Sequence, residues 1–288
     1  MILTSLKWGL TRTWSTKRLL LVLYLASFVL ALAVALPLRN VLMGFAGHSL
    51  VGSELALGMS ADFLAELVTA NHEGAPALLV MLAFGSIAFF LVSLFLSGGA
   101  LAILAEEEGY RADDFWRGAA TFYGRFLRLT LWSALLLAVL SLAPLSVWWI
   151  EGLVFGPDPY QYISYWGTWV GVGAIFIALF FFRICFDYAR IHAVLTGERR
   201  TRRSLWHGLC FVAKNPIRAV GLAVSISLLG GVALLLYLTI SPAFDGSTTA
   251  LVVAAIVAEQ LYVGWRAAMR VTRYGSQIAL YKRVECEK

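Results

Sequence analysis

The sequence predicts an all-α, polytopic membrane protein with six transmembrane helices. Three observations lead there. The chain of 288 residues is 60% hydrophobic and only 14% charged, where a soluble domain carries about 25% charged residues. Its mean hydropathy is +0.79. Six apolar runs have the ~20 residues that a helix needs to cross a ~30 Å hydrocarbon core: Leu19–Leu38, Pro76–Leu96, Leu127–Ile150, Trp166–Phe186, Ile217–Ile240 and Ala250–Met269. So little polar surface cannot cover the chain in water, and 1–288 reads as a single membrane domain.

Basic residues orient the spans. Lys7, Arg12, Lys17 and Arg18 precede the first run with no acid among them. With that end inside, 22 of the 23 Lys and Arg residues fall on inner segments, Arg39 being the exception. Seven acids (Glu54, Asp62, Glu66, Glu73, Glu151, Asp158 and Asp245) fall outside. Lys and Arg resist translocation while acids count for little, so both termini are expected in the cytoplasm, with the protein in an inner membrane. The stretch A-L-A-V-A (Ala31 to Ala35) offers small residues suited to signal-peptide cleavage. The apolar run around it spans Leu19 to Leu38, longer than a signal core of about 7–15 residues, and an uncleaved first span is expected.

The three cysteines, Cys185, Cys210 and Cys286, stand at inner ends of spans, a reducing side where structural disulfides are not expected. His48, His72, His192 and His207 match no metal-binding spacing. No P-loop, G-x-S-x-G or H-E-x-x-H occurs. Neither metal nor cofactor is expected, and the protein reads as non-enzymatic. The net charge of +6 reads as attraction to anionic membrane lipids on the cytoplasmic side rather than to nucleic acid, for which there is no soluble module.

One short pattern recurs. Ser5-Leu6-Lys7-Trp8-Gly9, Asp114-Phe115-Trp116-Arg117-Gly118 and Ser204-Leu205-Trp206-His207-Gly208 each stand before an apolar run. Ser and Asp favour helix N-caps, and Leu205, Leu209 and Val212 share one helical face. Each copy therefore predicts a short amphipathic helix at the membrane interface that turns sharply into the next span, with Asn215-Pro216 as the breaker in the third copy. Three tandem helix-plus-hairpin units follow, over 1–104, 105–195 and 196–288. The competing reading is that any loop entering a span collects Ser, Trp, Arg and Gly. The three-unit outline suggests mitochondrial carriers, but their Pro-acid-base signature at the ends of odd spans is absent.

The stretch F-D-Y-A-R-I-H-A-V-L-T-G-E-R-R (Phe186 to Arg200), running into Ser204–Pro216, resembles bacterial six-span membrane families. Among these is the membrane domain fused to some glycerophosphodiester phosphodiesterases, which has a similar D-x-A-R element, an amphipathic segment and a Pro before the next span. The resemblance covers mainly Arg183 to Arg218. It implies a six-helix bacterial inner-membrane domain and no particular activity, since the phosphodiesterase domain is absent.

Candidate functional residues are few. Glu259 lies about ten residues into the last run, where a carboxylate should face the interior with a partner or be protonated. It reads either as a proton- or cation-linked site or as a structural hydrogen bond with Gln260. Arg183 and Asp187, four apart, with Arg190 one turn further, suit an internal ion pair, a lipid headgroup or simple snorkelling. Two basic groups, Arg199, Arg200, Arg202 and Arg203, then Arg266, Arg270 and Arg273 with Gln277 on one helical face, suit anionic headgroups or a partner protein. Met59–Val68 reads as an amphipathic outer segment, and Gly98-Gly99, Gly171, Gly173 and Gly230-Gly231 as sites of close helix contact. The function expected is a permease-like or lipid-handling bundle, or a scaffold subunit of a membrane complex.

Overall fold

The computed structural model describes residues 1–46, 74–106, 109–140, 142–156, 160–244 and 248–286. Every element among them is helical: α1 (Ile2–Ser15), α2 (Lys17–Ala46), α3 (Gly74–Ala105), α4 (Ala112–Leu140), α5 (Leu142–Phe155), α6 (Gln161–Thr196), α7 (Thr201–Lys214), α8 (Pro216–Ile240), a 3-10 turn (Ser241–Phe244) and α9 (Thr249–Cys286). Six of them, α2, α3, α4, α6, α8 and α9, are long and apolar enough to cross a membrane. The protein is an integral, all-α membrane protein. The segment Met59–Val68 lies outside the described residues.

Helix boundaries follow local chemistry. At Thr16 the backbone leaves helical geometry, and the side chains of Ser15 and Thr16 both donate to the Arg12 carbonyl oxygen at 2.8 Å, competing with continuation of the helix. Pro216 has no N–H to donate, so α7 stops at Asn215 and α8 begins afresh. Gly197, left-handed at φ 65°, ends α6. Pro37 sits inside α2.

Two expectations need correcting. The third span begins far earlier than Leu127: α4 runs unbroken from Ala112, so the Asp114 copy is the first turn of the span rather than a separate interfacial helix. No proline interrupts this helix, and its last residue is Leu140, just before the first turn of α5 that holds Pro144. In the third copy, Ser204 is not the N-cap. The helix starts at Thr201 with Arg200 as its cap residue, and Ser204 is buried within it.

Contacts group the residues into two compact units. The first comprises Met1–Thr16, Ser97–Leu229 and Arg270–Lys288. Its core holds Phe115, Phe126, Tyr188, Ile191, Leu222, Tyr274 and Ile278, all nearly inaccessible. Phe211 of α7 is wedged between Tyr188 of α6 and Tyr281 of α9, at ring distances of 4.6 and 4.9 Å.

In this unit the recurring glycine is a docking point in all three copies. A Cβ on Gly208 would lie 2.7 Å from the Ala189 nitrogen and 2.8 Å from the Cys185 oxygen, both α6 backbone. A Cβ on Gly9 would lie 2.7 Å from the Thr272 oxygen of α9, and the Ser276 side chain rests directly against it. At Gly118 the neighbour is Ala102 of α3, whose Cβ would be 2.5 Å away. The receiving helices present small residues four apart: Gly98 and Ala102, Cys185 and Ala189, Thr272 and Ser276. Small residues on both sides let two backbones approach without a lipid-filled gap. Thr13 extends the α1 contact, since its hydroxyl donates to the Gly9 oxygen and receives the Thr272 hydroxyl at 2.9 Å.

The second unit comprises Lys17–Leu96 and Gly230–Met269. Val34 of α2 packs against Gly85 of α3, and Tyr237 of α8 stacks on Tyr262 of α9 at 4.9 Å. In neither unit do Gly171, Gly173, Gly230 and Gly231, expected at close contacts, have a neighbour among the described residues within 4 Å of where a Cβ would stand.

Candidate functional site: an arginine-lined cavity and a buried ion cluster

Two polar features stand out in the first unit. The first is a cavity of about 550 Å³ lined by Arg128 and Trp132 of α4 and by residues 199–203 at the start of α7. Arg128 and Trp132, four apart, share one face of α4. Gly197 turns the chain out of α6 and lets residues 199–203 fold back toward that face; its carbonyl oxygen accepts from Arg125 Nη1 at 3.0 Å. The Arg202 guanidinium lies over the Trp132 ring at 5.3 Å. Arg203 is 3.7 Å from the Glu198 carboxylate. The Arg200 N–H donates to Glu198 Oε1 at 3.1 Å, and this bond, with the arginines around it, holds that carboxyl below its ordinary range, so it stays ionised. Five arginines thus face one cavity, with one acid beside them among the described residues.

The sequence places Arg199, Arg200, Arg202 and Arg203 together; the structure adds Arg128 and Trp132 from 67 or more residues earlier. Only their i, i+4 spacing in α4 hinted at a shared face.

The second feature is centred on Asp187. Its carboxylate is buried and pairs with Arg190, while Arg273 of α9 approaches the second oxygen at 3.7 Å and Gln277 Nε2 donates to it at 3.2 Å. Arg190 also reaches Ser97 Oγ of α3 at 3.4 Å and lies over the rings of Phe186, Tyr274 and Phe126 at 4.7, 5.7 and 6.0 Å. The cluster therefore ties α3, α6 and α9 together with α4 behind it. Charge and aromatic faces compensate much of the cost of burying two guanidiniums. Arg183, expected as a partner of Asp187, is instead exposed. Asp187 takes the arginine one turn further along and one from another helix. Arg273, read as a headgroup contact, belongs to this cluster, whereas Arg266 on the same helix is exposed. Arg270 donates from Nε to the Tyr274 hydroxyl at 3.3 Å.

A third network was not anticipated. His192 Nδ1 bonds the Tyr281 hydroxyl at 2.8 Å, which donates to Glu285 Oε1 at 2.6 Å, and the His192 ring stacks on His207 of α7 at 4.5 Å. The tyrosine proton goes to the carboxylate, so His192 must donate from Nδ1.

In the second unit Gln260 Oε1 accepts from the Tyr24 hydroxyl at 2.6 Å. Glu259 does not turn inward as expected: its side chain is exposed, on a stretch of α9 with exposed Val252, Val253, Ile256, Val257 and Leu261. The residue after it, Gln260, occupies the inward position instead. Among the described residues no group of three or more His, Cys, Asp or Glu side chains is arranged to hold a metal. No family profile, curated protein or solved structure matches the chain.

Proposed function

We propose that the protein is a non-enzymatic, lipid-handling helical bundle of a bacterial inner membrane that holds anionic lipid headgroups at its cytoplasmic end. The arginine-lined cavity carries this reading. It couples a concentration of guanidiniums to an interfacial tryptophan and to α4, which continues as a span with exposed Leu131 and Leu135. An acyl chain can follow that surface while the headgroup enters the cavity. Supporting the orientation is the charge distribution, with 22 of the 23 basic residues on the segments assigned to the inside. The Asp187 cluster supports a structural role instead: its carboxylate is taken up by Arg190, Arg273 and Gln277. The test is reconstitution in vesicles with and without an anionic lipid. The native protein should be stabilised by the anionic lipid, and the double variant Arg199→Gln, Arg200→Gln should lose roughly 2 kcal/mol of that stabilisation, at about 1 kcal/mol per charge. Equal stabilisation of both proteins would remove the reading.

The three glycine contacts support a further part of this reading, that the chain is three tandem units, each an amphipathic segment entering a two-span hairpin, the segment of the middle unit being continuous with α4, as families with parallel repeats are built. Cys185 stands 87 residues after Gly98, and Thr272 stands 87 after Cys185. Each of these positions receives the glycine of the helix that follows it, the last one receiving Gly9. In this scheme α1 and α7 are the interfacial helices, with Trp14 and Trp206 exposed at headgroup depth.

A partner-subunit role is the second reading, and Glu259 favours it. Ten residues into α9, at 1.5 Å each, it lies about 15 Å deep, near the middle of a ~30 Å core. An exposed carboxyl at that depth is expensive unless another chain supplies a donor or a cation. Glu259→Gln should then weaken a stoichiometric complex isolated from native membranes while leaving the thermal stability of the isolated protein unchanged. An unaltered complex with the variant would dismiss this role.

A further inference from the structure

The charge count of the cavity says more than "anionic". Arg128, Arg199, Arg200, Arg202 and Arg203 bring five positive charges, and among the described residues the acid paired with them is Glu198, bonded to the Arg200 N–H and close to Arg203. Among the described residues that leaves an excess of four positive charges around a space of about 550 Å³, the size of a small-ligand site. Residues 201 and 202, in the first turn of α7, also line that space. This turn begins at Arg200 without a side-chain cap, so first-turn N–H groups and the positive end of the helix dipole add to the guanidiniums.

A phosphodiester headgroup brings a single negative charge. It would leave most of this field unanswered, and the arginines would repel one another around it. A phosphate monoester or a diphosphate brings two or more charges on a compact set of oxygens. Such a group can accept bidentate bonds from several guanidiniums at once. The Arg202–Trp132 stack fixes one of those guanidiniums over the face of an interfacial ring, and exposed Leu131 and Leu135 continue from the cavity along α4. We propose that the cavity selects lipids whose headgroup ends in a phosphate monoester or diphosphate, over lipids with a monoanionic phosphodiester. This rests on the reading of the cavity as a headgroup site. Its shared chemistry is a terminal phosphate of two or more charges, and the apolar track along α4 assigns the lipid as its source.

The experiment is competitive retention in neutral detergent. The full-length protein is given equimolar phosphatidic acid, phosphatidylglycerol and phosphatidylcholine of identical chains, and retained lipid is measured by native mass spectrometry. Phosphatidic acid should be retained over phosphatidylglycerol by about tenfold or more, one added charge near several arginines sufficing for that ratio. The double variant Arg199→Gln, Arg200→Gln should lose this preference, while Arg266→Gln, an exposed arginine of α9 outside the cavity, should keep it. Melting temperatures of both variants equal to the native one would show that the loss is not unfolding. Equal retention of phosphatidic acid and phosphatidylglycerol, both above phosphatidylcholine, would overturn the selectivity and leave the headgroup site standing. Equal retention of all three lipids would overturn both. A parallel arm adds inorganic diphosphate: displacement only at large excess supports the lipid source, whereas displacement at concentrations equal to the lipid would reassign the cavity to a soluble phosphate.

Discussion

Asp187→Ala is expected to destabilise the protein by about 3–5 kcal/mol, the range for removing one partner of a buried ion pair. The reason is what it strands. Arg190 is nearly inaccessible and Arg273 is largely covered; without the carboxylate, two guanidiniums face each other among Phe126, Phe186 and Tyr274. Arg273 can swing toward water, but Arg190 cannot, and what stays near it is neutral, Ser97 Oγ at 3.4 Å and Tyr274. The double variant Asp187→Leu, Arg190→Met removes the charge with its partner and should recover most of the loss, because well-packed apolar replacements of a buried pair are often neutral. Unfolding of the purified variants in one detergent, followed by circular dichroism, checks this order. If Asp187→Ala unfolds within about 1 kcal/mol of the native protein, the range of an exposed pair, the cluster is not the clamp described above.

The second large effect is expected at Gly208. Its valine variant would put a Cβ within 3 Å of the Ala189 nitrogen and the Cys185 oxygen. These are backbone atoms of α6 and cannot rotate aside, so α7 must lift away and take Phe211 out of its place against Tyr188 and Tyr281. Overpacking of this kind costs about 1–3 kcal/mol, sometimes more, and Gly208→Val should reach the top of that range. Gly118 provides the internal control. There the obstacle is a side chain, the Ala102 methyl group, so Gly118→Ala should be rescued in large part by Ala102→Gly. The same melting assay reads all three, and a Gly208→Val protein as stable as the native one would rule out the tight contact.

These two effects lie on opposite sides of what the sequence displays. The spans are legible because hydropathy is local: each apolar run overlaps its helix. Where the helices extend past the apolar run, as α6 does to Thr196 and α9 to Cys286, hydropathy fades because protein packing takes over from lipid. The start of the third span was misread for the same reason, since residues 112–126 are amphipathic yet carry no breaker. The glycine pattern was visible, but it invited a capping explanation. Its purpose depends on which backbone lies opposite, and sequence spacing does not contain that. Asp187 and Arg190 are legible as neighbours one turn apart, but the rest of the cluster is not, since Arg273 and Gln277 come from a helix 86 and 90 residues away. The arginine cavity was half legible, its contiguous run evident and the face of α4 that completes it not.

The contact between α1 and α9 bears on when the protein can finish folding. Thr13 and Thr272 are separated by 259 residues. At about 5–20 residues per second of synthesis, the partner surface of α1 emerges on the order of 10–50 seconds after α1 itself. For that interval Gly9 and Thr13 have no α9 to pack on, while Gly118 and Gly208 meet their receiving helices almost as soon as they are made. The helix α1 is thus seated only once α9 has been made, and until then its apolar face must be held by the bilayer surface or by the insertion machinery.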